Sequence, residues 1–105
     1  MNNGATRNRT SQDGMRTIQE CNLRLEEDQF NYDALYYRGK LKRKNSNTEG
    51  AIADFTEAIR FRDDFTRAFF ARAGARFEQR QLLRAAADFF KGLFCLVVDI
   101  LPTTG

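Results

Sequence analysis

The sequence predicts an all-α chain of antiparallel helical hairpins, and three observations carry that expectation. Apolar residues recur at helical spacing along most of the chain, from about residue 11 to residue 101. A single proline, Pro102, and few β-branched runs leave little that would break helices or favour strands. Most specifically, residue types repeat at a fixed interval of 34 residues. A period of that length marks proteins built from stacked units that cannot bury their apolar faces alone.

The elements follow in order. Residues 1–10 are polar and aperiodic, and are expected to form a disordered arm. Ser11 is the expected cap of a first helix that runs to about Glu27, with a break from Asp28 to Asn31. A second helix is expected from about Tyr32 to Lys44, ended by the turn-forming Asn45-Ser46-Asn47. Asn47 then caps a third helix, Thr48 to about Arg62, and Asp63 and Asp64 are placed to end it and cap a fourth, about Thr66 to Gln79. The fifth begins near Gln81 and meets no stop before Pro102. Connectors of about two to five residues force neighbouring helices to pack antiparallel.

The repeat runs without a gap. Gly14, Thr48 and Leu82 are spaced by 34, as are Thr17, Ala51 and Ala85; Ile18, Ile52 and Ala86; Cys21, Phe55 and Phe89; and Leu25, Ile59 and Leu93. In the helices between, Ala34 matches Ala68, Leu35 matches Phe69, Tyr36 matches Phe70, Arg38 matches Arg72 and Gly39 matches Ala73. Ala51, Ile52, Phe55, Ala58 and Ile59 fall on one helical face. Small residues at Gly39, Ala51 and Ala58 allow two backbones to approach, while Leu35, Ile52 and Phe55 fill the space beside them.

This pattern resembles the tetratricopeptide repeat, a helix-turn-helix unit of the same period. The likeness rests on Leu35, Gly39, Ala51, Phe55 and Ala58 in one copy and on Phe69, Ala73, Ala85, Phe89 and Gly92 in the next. Residues 11–27 resemble the second half of a preceding copy, so the likeness spans about two and a half repeats, to roughly residue 95. The resemblance implies a short right-handed solenoid of five helices over residues 11–101, followed by a tail of residues 102–105. Lys42 and Arg76 stand where a large aromatic is usual, so their alkyl stems are expected to fill the gap. Arg24 replaces a small residue, Asp63 stands where a closing proline is common, and Leu93–Val98 replaces a mixed polar ending.

Composition narrows the function. The chain of 105 residues carries 17 basic and 14 acidic residues, a net charge of +3 with the signs interspersed. It has no histidine, and its two cysteines, Cys21 and Cys95, cannot complete a zinc site alone. They are expected to be small buried hydrophobes in a reducing compartment. The N-terminus lacks the apolar core of a secretory signal, and a cytoplasmic location is expected. No catalytic constellation, Gly-rich phosphate loop or cofactor motif appears, so neither an enzyme nor a cofactor is expected. The pairs Glu26-Glu27 and Asp63-Asp64 read as helix-end solvation and capping.

What the resemblance implies instead is a surface, a concave groove lined mainly by the first helix of each hairpin. Its expected residues are Asp33, Tyr36, Lys40, Arg43 and Lys44 in one copy and Arg67, Phe70, Gly74, Phe77 and Glu78 in the next. Aromatic rings beside cations suit an acidic peptide or helix of another protein. The competing reading is that Tyr36 and Phe70 fill the inner face. Some family members hold a chaperone's C-terminal carboxylate in a lysine-asparagine clamp; Tyr36 and Ala71 stand at two of those positions, so that role is not expected. A structural piece of a larger helical-repeat assembly is the second reading. RNA binding through Lys40, Lys42, Arg43 and Lys44 ranks third, because cations gather at helix C-termini for another reason. The apolar segment 93–101 is too short to span a membrane and is expected to cap the array or drive self-association.

Overall fold

The computed structural model describes residues 15–101. Five helices account for most of them: α1 (Ile18–Glu27), α2 (Tyr32–Lys44), α3 (Thr48–Phe61), α4 (Thr66–Glu78) and α5 (Leu82–Ile100), with no strand among the described residues. Each helix packs on its neighbours in sequence, and α2 also touches α4. Links of three or four residues leave successive helices no arrangement but antiparallel.

The helix starts show which local signals win. α1 begins at Ile18, later than the expected start after Ser11. Thr17 Oγ1 accepts from the Glu20 N–H at 3.1 Å while Glu20 Oε1 accepts from the Thr17 N–H at 3.0 Å. This reciprocal capping box satisfies two donors at once. Ser11, the expected arm 1–10 and the tail 102–105 lie outside the described residues. Asn31 caps α2 by accepting from Ala34 N–H, and Asn47 caps α3 by accepting from Gly50 N–H, both at 3.0 Å. The expected acid cap of α4 does not form. Phe65 occupies the cap position without a side-chain hydrogen bond, and Asp64 instead accepts from Arg62 Nε. Phe65 is buried against Tyr32 and Tyr36, so aromatic burial, rather than a polar cap, fixes where α4 enters.

The two hairpins close with the same turn. Asn47 N–H donates to Lys42 C=O and Ser46 N–H to Arg43 C=O; one repeat later, Gln81 donates to Arg76 and Arg80 to Phe77. These are Schellman closures with Ser46 (φ 70°) and Arg80 (φ 63°) in the left-handed region. A side chain there costs about 1–2 kcal/mol, partly offset by the entropy that glycine restores to the unfolded chain. Ser46→Gly and Arg80→Gly are each expected to stabilise by about 0.5–1 kcal/mol. Urea denaturation midpoints at or below the parent's would show that the side chains hold the turns by some other contact.

The main core gathers Leu35, Tyr36, Ala51, Phe55, Ala58, Phe65, Ala68 and Ala75 from α2, α3, α4 and the link before α4. A smaller cluster of Met15, Cys21 and Ala34 seats α1 on α2. Gly39 is small of necessity, since a Cβ there would lie 2.6 Å from Phe55 Cε1.

A polar ladder threads the same interfaces. Arg38 donates from Nε and Nη2 to the Asp54 carboxylate at 2.9 and 2.8 Å, and from Nη1 to Asn22 Oδ1 at 2.8 Å. One repeat on, Arg72 grips Asp88 at 2.9 and 2.8 Å and reaches Thr56 Oγ1 at 3.0 Å. Lys42 and Arg76 add a second cation to each aspartate, at 3.2 and 2.7 Å. Their sequence position suggested alkyl filler; the structure adds that their charged heads complete the ion pairs. The hydrogen bond to Asp54 raises the Arg38 guanidinium above its ordinary value. Burial, with Arg72 alongside, lowers that of Arg76.

Candidate functional site

Most of the residues expected to line one groove divide between two places. The first is the junction of α2 with α4. Lys40 Nζ lies 5.3 Å from the Tyr36 ring centroid and 5.9 Å from that of Tyr37, while the Arg67 guanidinium sits 5.2 Å from Tyr36. Arg43 pairs with Glu78 at 2.8 Å and lies over Gly74, where a Cβ would meet Arg43 Nη2 at 2.9 Å. That ion pair lowers the Glu78 carboxyl below its ordinary value. Tyr36 itself is only 6% exposed, packed between Phe55 and Phe65. Its ring therefore fills the inner face and is not offered to a partner.

Asp33 is half-buried in the first turn of α2. Lys44, exposed at the other end of α2, borders a shallow depression shared with Thr17, Ile18 and Leu41, on the α1 side of the molecule. The basic cluster is largely spent within the fold. Lys42 is held by Asp54 and Arg43 by Glu78, and Lys40 rests on two tyrosine rings, while Lys44 stays exposed.

Phe70, Gly74 and Phe77 belong to the second place, a groove of about 920 Å³ along the outer side of the last hairpin. α4 contributes Phe70, Ala73, Gly74 and Phe77; α5 contributes Leu82, Ala85, Ala86, Phe89 and Phe90. Every lining residue is apolar. Phe70 and Phe89 meet as tilted rings with centroids 5.6 Å apart, while Phe77 stands 66% and Phe90 65% exposed. The five α5 residues are not among the expected site residues, which all lie on the first helix of each hairpin.

The repeat explains why this face is open. Subtracting 34 from its members gives Tyr36, Gly39, Lys40, Arg43, Thr48, Ala51, Ile52, Phe55 and Thr56 on the preceding hairpin. There α4 lies across the face: Tyr36 meets Phe65 at 5.2 Å, Arg43 meets Glu78 and Thr56 meets Arg72. Phe55 is accordingly 0% exposed, whereas its counterpart Phe89 is 48% exposed. Nothing among the described residues does for α4 and α5 what α4 does for α2 and α3.

Beyond the groove, α5 continues as an apolar helix with Phe94, Leu96, Val97, Val98 and Ile100 exposed. No helix among the described residues is long and apolar enough to cross a membrane. The two cysteines are free thiols, Cys21 buried on α1 where it packs against α2 and Cys95 half-buried on α5, and burial raises both above the ordinary thiol value. Compared with family models and with curated proteins, the chain matches none.

Proposed function

We propose that this chain is a protein-interaction module, an adaptor of the tetratricopeptide-like kind. In this reading five helices form a short right-handed solenoid that binds a helix or peptide of another protein without bond chemistry. The observation that carries it is the apolar face of α4 and α5, whose repeat equivalent on α2 and α3 is covered by a helix. A contiguous exposed face of aromatic side chains beside small residues is the kind of surface that protein partners bury. The proposed setting is the cytoplasm, where Cys21 and Cys95 would remain reduced.

The second reading, a structural piece of a larger helical-repeat assembly, uses the same face and the exposed length of α5. The cations near Tyr36, first expected to meet an acidic peptide, are a lesser candidate because Arg43 is already paired with Glu78.

Two variant sets test the assignment by quantitative affinity capture from cytosolic extract. Phe77→Asp with Phe90→Asp alters exposed side chains and is expected to reduce captured partners about tenfold, the equivalent of about 1.4 kcal/mol. Lys40→Ala with Arg67→Ala is expected to leave capture nearly intact. Loss confined to the second set would move the site to the α2–α4 junction. Capture of stoichiometric helical-repeat subunits would favour the assembly reading.

A further inference from the structure

We infer that the open face of α4 and α5 takes an amphipathic helix built like α4 but apolar at two positions where α4 is charged. The inference rests on the reading of that face as an interaction site and specifies what fills it. Its template is inside the molecule: α4 seated on α2 and α3. Phe65 enters that seat against Tyr32 and Tyr36, with ring centroids 5.6 and 5.2 Å away. Ala68 and Ala75, fully buried, bring the α4 backbone close. Two polar contacts then register the helix, Arg72 Nη1 on Thr56 Oγ1 at 3.0 Å and Glu78 on Arg43 at 2.8 Å.

One repeat later both polar partners are gone. Thr56 becomes Phe90 and Arg43 becomes Phe77; of the two rings that seat Phe65, Phe70 keeps the Tyr36 position while Thr66 replaces Tyr32. A guanidinium placed where Arg72 sits would meet Phe90 and find no acceptor there. A carboxylate placed where Glu78 sits would meet Phe77. The guanidinium would then lie buried without its acceptor, and the carboxylate, half-exposed in the α4 seat, would lose its ion-pair partner. The face therefore selects a helix with an aromatic at its entry and small residues three and ten positions on, as in α4. Seven and thirteen positions on, where α4 has Arg72 and Glu78, it selects apolar side chains.

The same substitutions argue against another repeat of this chain's own kind. The ladder advances by Arg38 reaching back to Asn22 and Arg72 reaching back to Thr56. Phe90, the next residue in that series, cannot accept. The occupant is thus a separate apolar-faced helix of a partner protein.

The test uses a labelled synthetic peptide spanning residues 63–80, titrated against the whole chain by fluorescence anisotropy. A second peptide carries Arg72→Leu and Glu78→Leu. A third carries leucines at Asp64 and Arg76 and controls for greasiness. The second peptide is expected to bind about tenfold more tightly than the other two. A chain with Phe77→Arg and Phe90→Thr should reverse the preference toward the unaltered peptide, because it restores the chemistry of the first seat. Equal binding of all three, lost with Phe77→Asp, would overturn the specificity and leave the interaction site standing. No binding of any peptide would overturn both. A concentration-dependent dimer in sedimentation that excludes the peptides would give the face to a second copy and also overturn the inference.

Discussion

Replacing Asp88 with alanine is expected to destabilise the fold by about 3–5 kcal/mol, the usual cost of breaking a buried ion pair from one side. Asp88 has a side chain only 3% exposed and holds two guanidinium groups, Arg72 at 2.8 Å and Arg76 at 2.7 Å. Removing its carboxylate leaves two cations enclosed between α4 and α5, and the Nε of Arg76 already lacks an acceptor. Asp54→Ala makes the same change one repeat earlier and is expected to cost less. Arg38 and Lys42 are each 23% exposed and can turn their charges toward water. In a domain of this size about 1 kcal/mol moves the melting temperature by about 4–8 °C, so the two variants should separate clearly in thermal denaturation. A companion carrying Asp88→Leu, Arg72→Met and Arg76→Leu should recover much of the loss, because a well-packed apolar replacement of a buried ion cluster is often neutral. Equal midpoints for Asp88→Ala and Asp54→Ala would show that burial does not set the cost.

That ladder marks the boundary of what the sequence made legible. The five helices could be read closely because apolar periodicity, Asn31 and Asn47 as caps and the turn residues at 45–47 all point the same way. The start of α1 differs from the expected one although its signal is present: Thr17-Ile18-Gln19-Glu20 is a capping-box pattern, and it sets the start of the helix at Ile18. The start of α4 rests on other chemistry than the local sequence implies. The acids at 63 and 64 look like caps, but the position is set by tertiary burial of Phe65, which no local rule contains. Arg38 and Arg72 were visible as a repeated pair. Their role needed Asp54 and Asp88 to be seen at the same interval on the facing helix. The open face was missed for a similar reason. It belongs to two helices at once, and only a comparison of Phe89 and Phe90 with Phe55 and Thr56 shows that a covering helix is absent among the described residues.

Phe55→Ala is expected to cost about 3–5 kcal/mol, whereas Phe89→Ala, the same substitution one repeat later, should cost about 1 kcal/mol. The two rings occupy equivalent positions and differ in what lies above them. Phe55 is 0% exposed beneath α4 and pressed against Gly39, while Phe89 is 48% exposed. The contact with Gly39 offers a double-mutant check. Gly39→Ala alone forces the Phe55 ring to shift, since the new Cβ would lie 2.6 Å from Cε1. In the Phe55→Ala background that conflict is gone, so the two changes should be less costly together than their sum, by about 0.5–3 kcal/mol. Strict additivity would mean that the Gly39–Phe55 approach is not what holds α2 and α3 together. Phe89 then becomes a reporter for the open face. If a helix settles on α4 and α5 as α4 settles on α2 and α3, Phe89 passes from half-exposed to buried, and its truncation should weaken the complex far more than it weakens the free chain. A Phe89→Ala penalty on peptide affinity no larger than its penalty on folding would place the partner's contacts elsewhere.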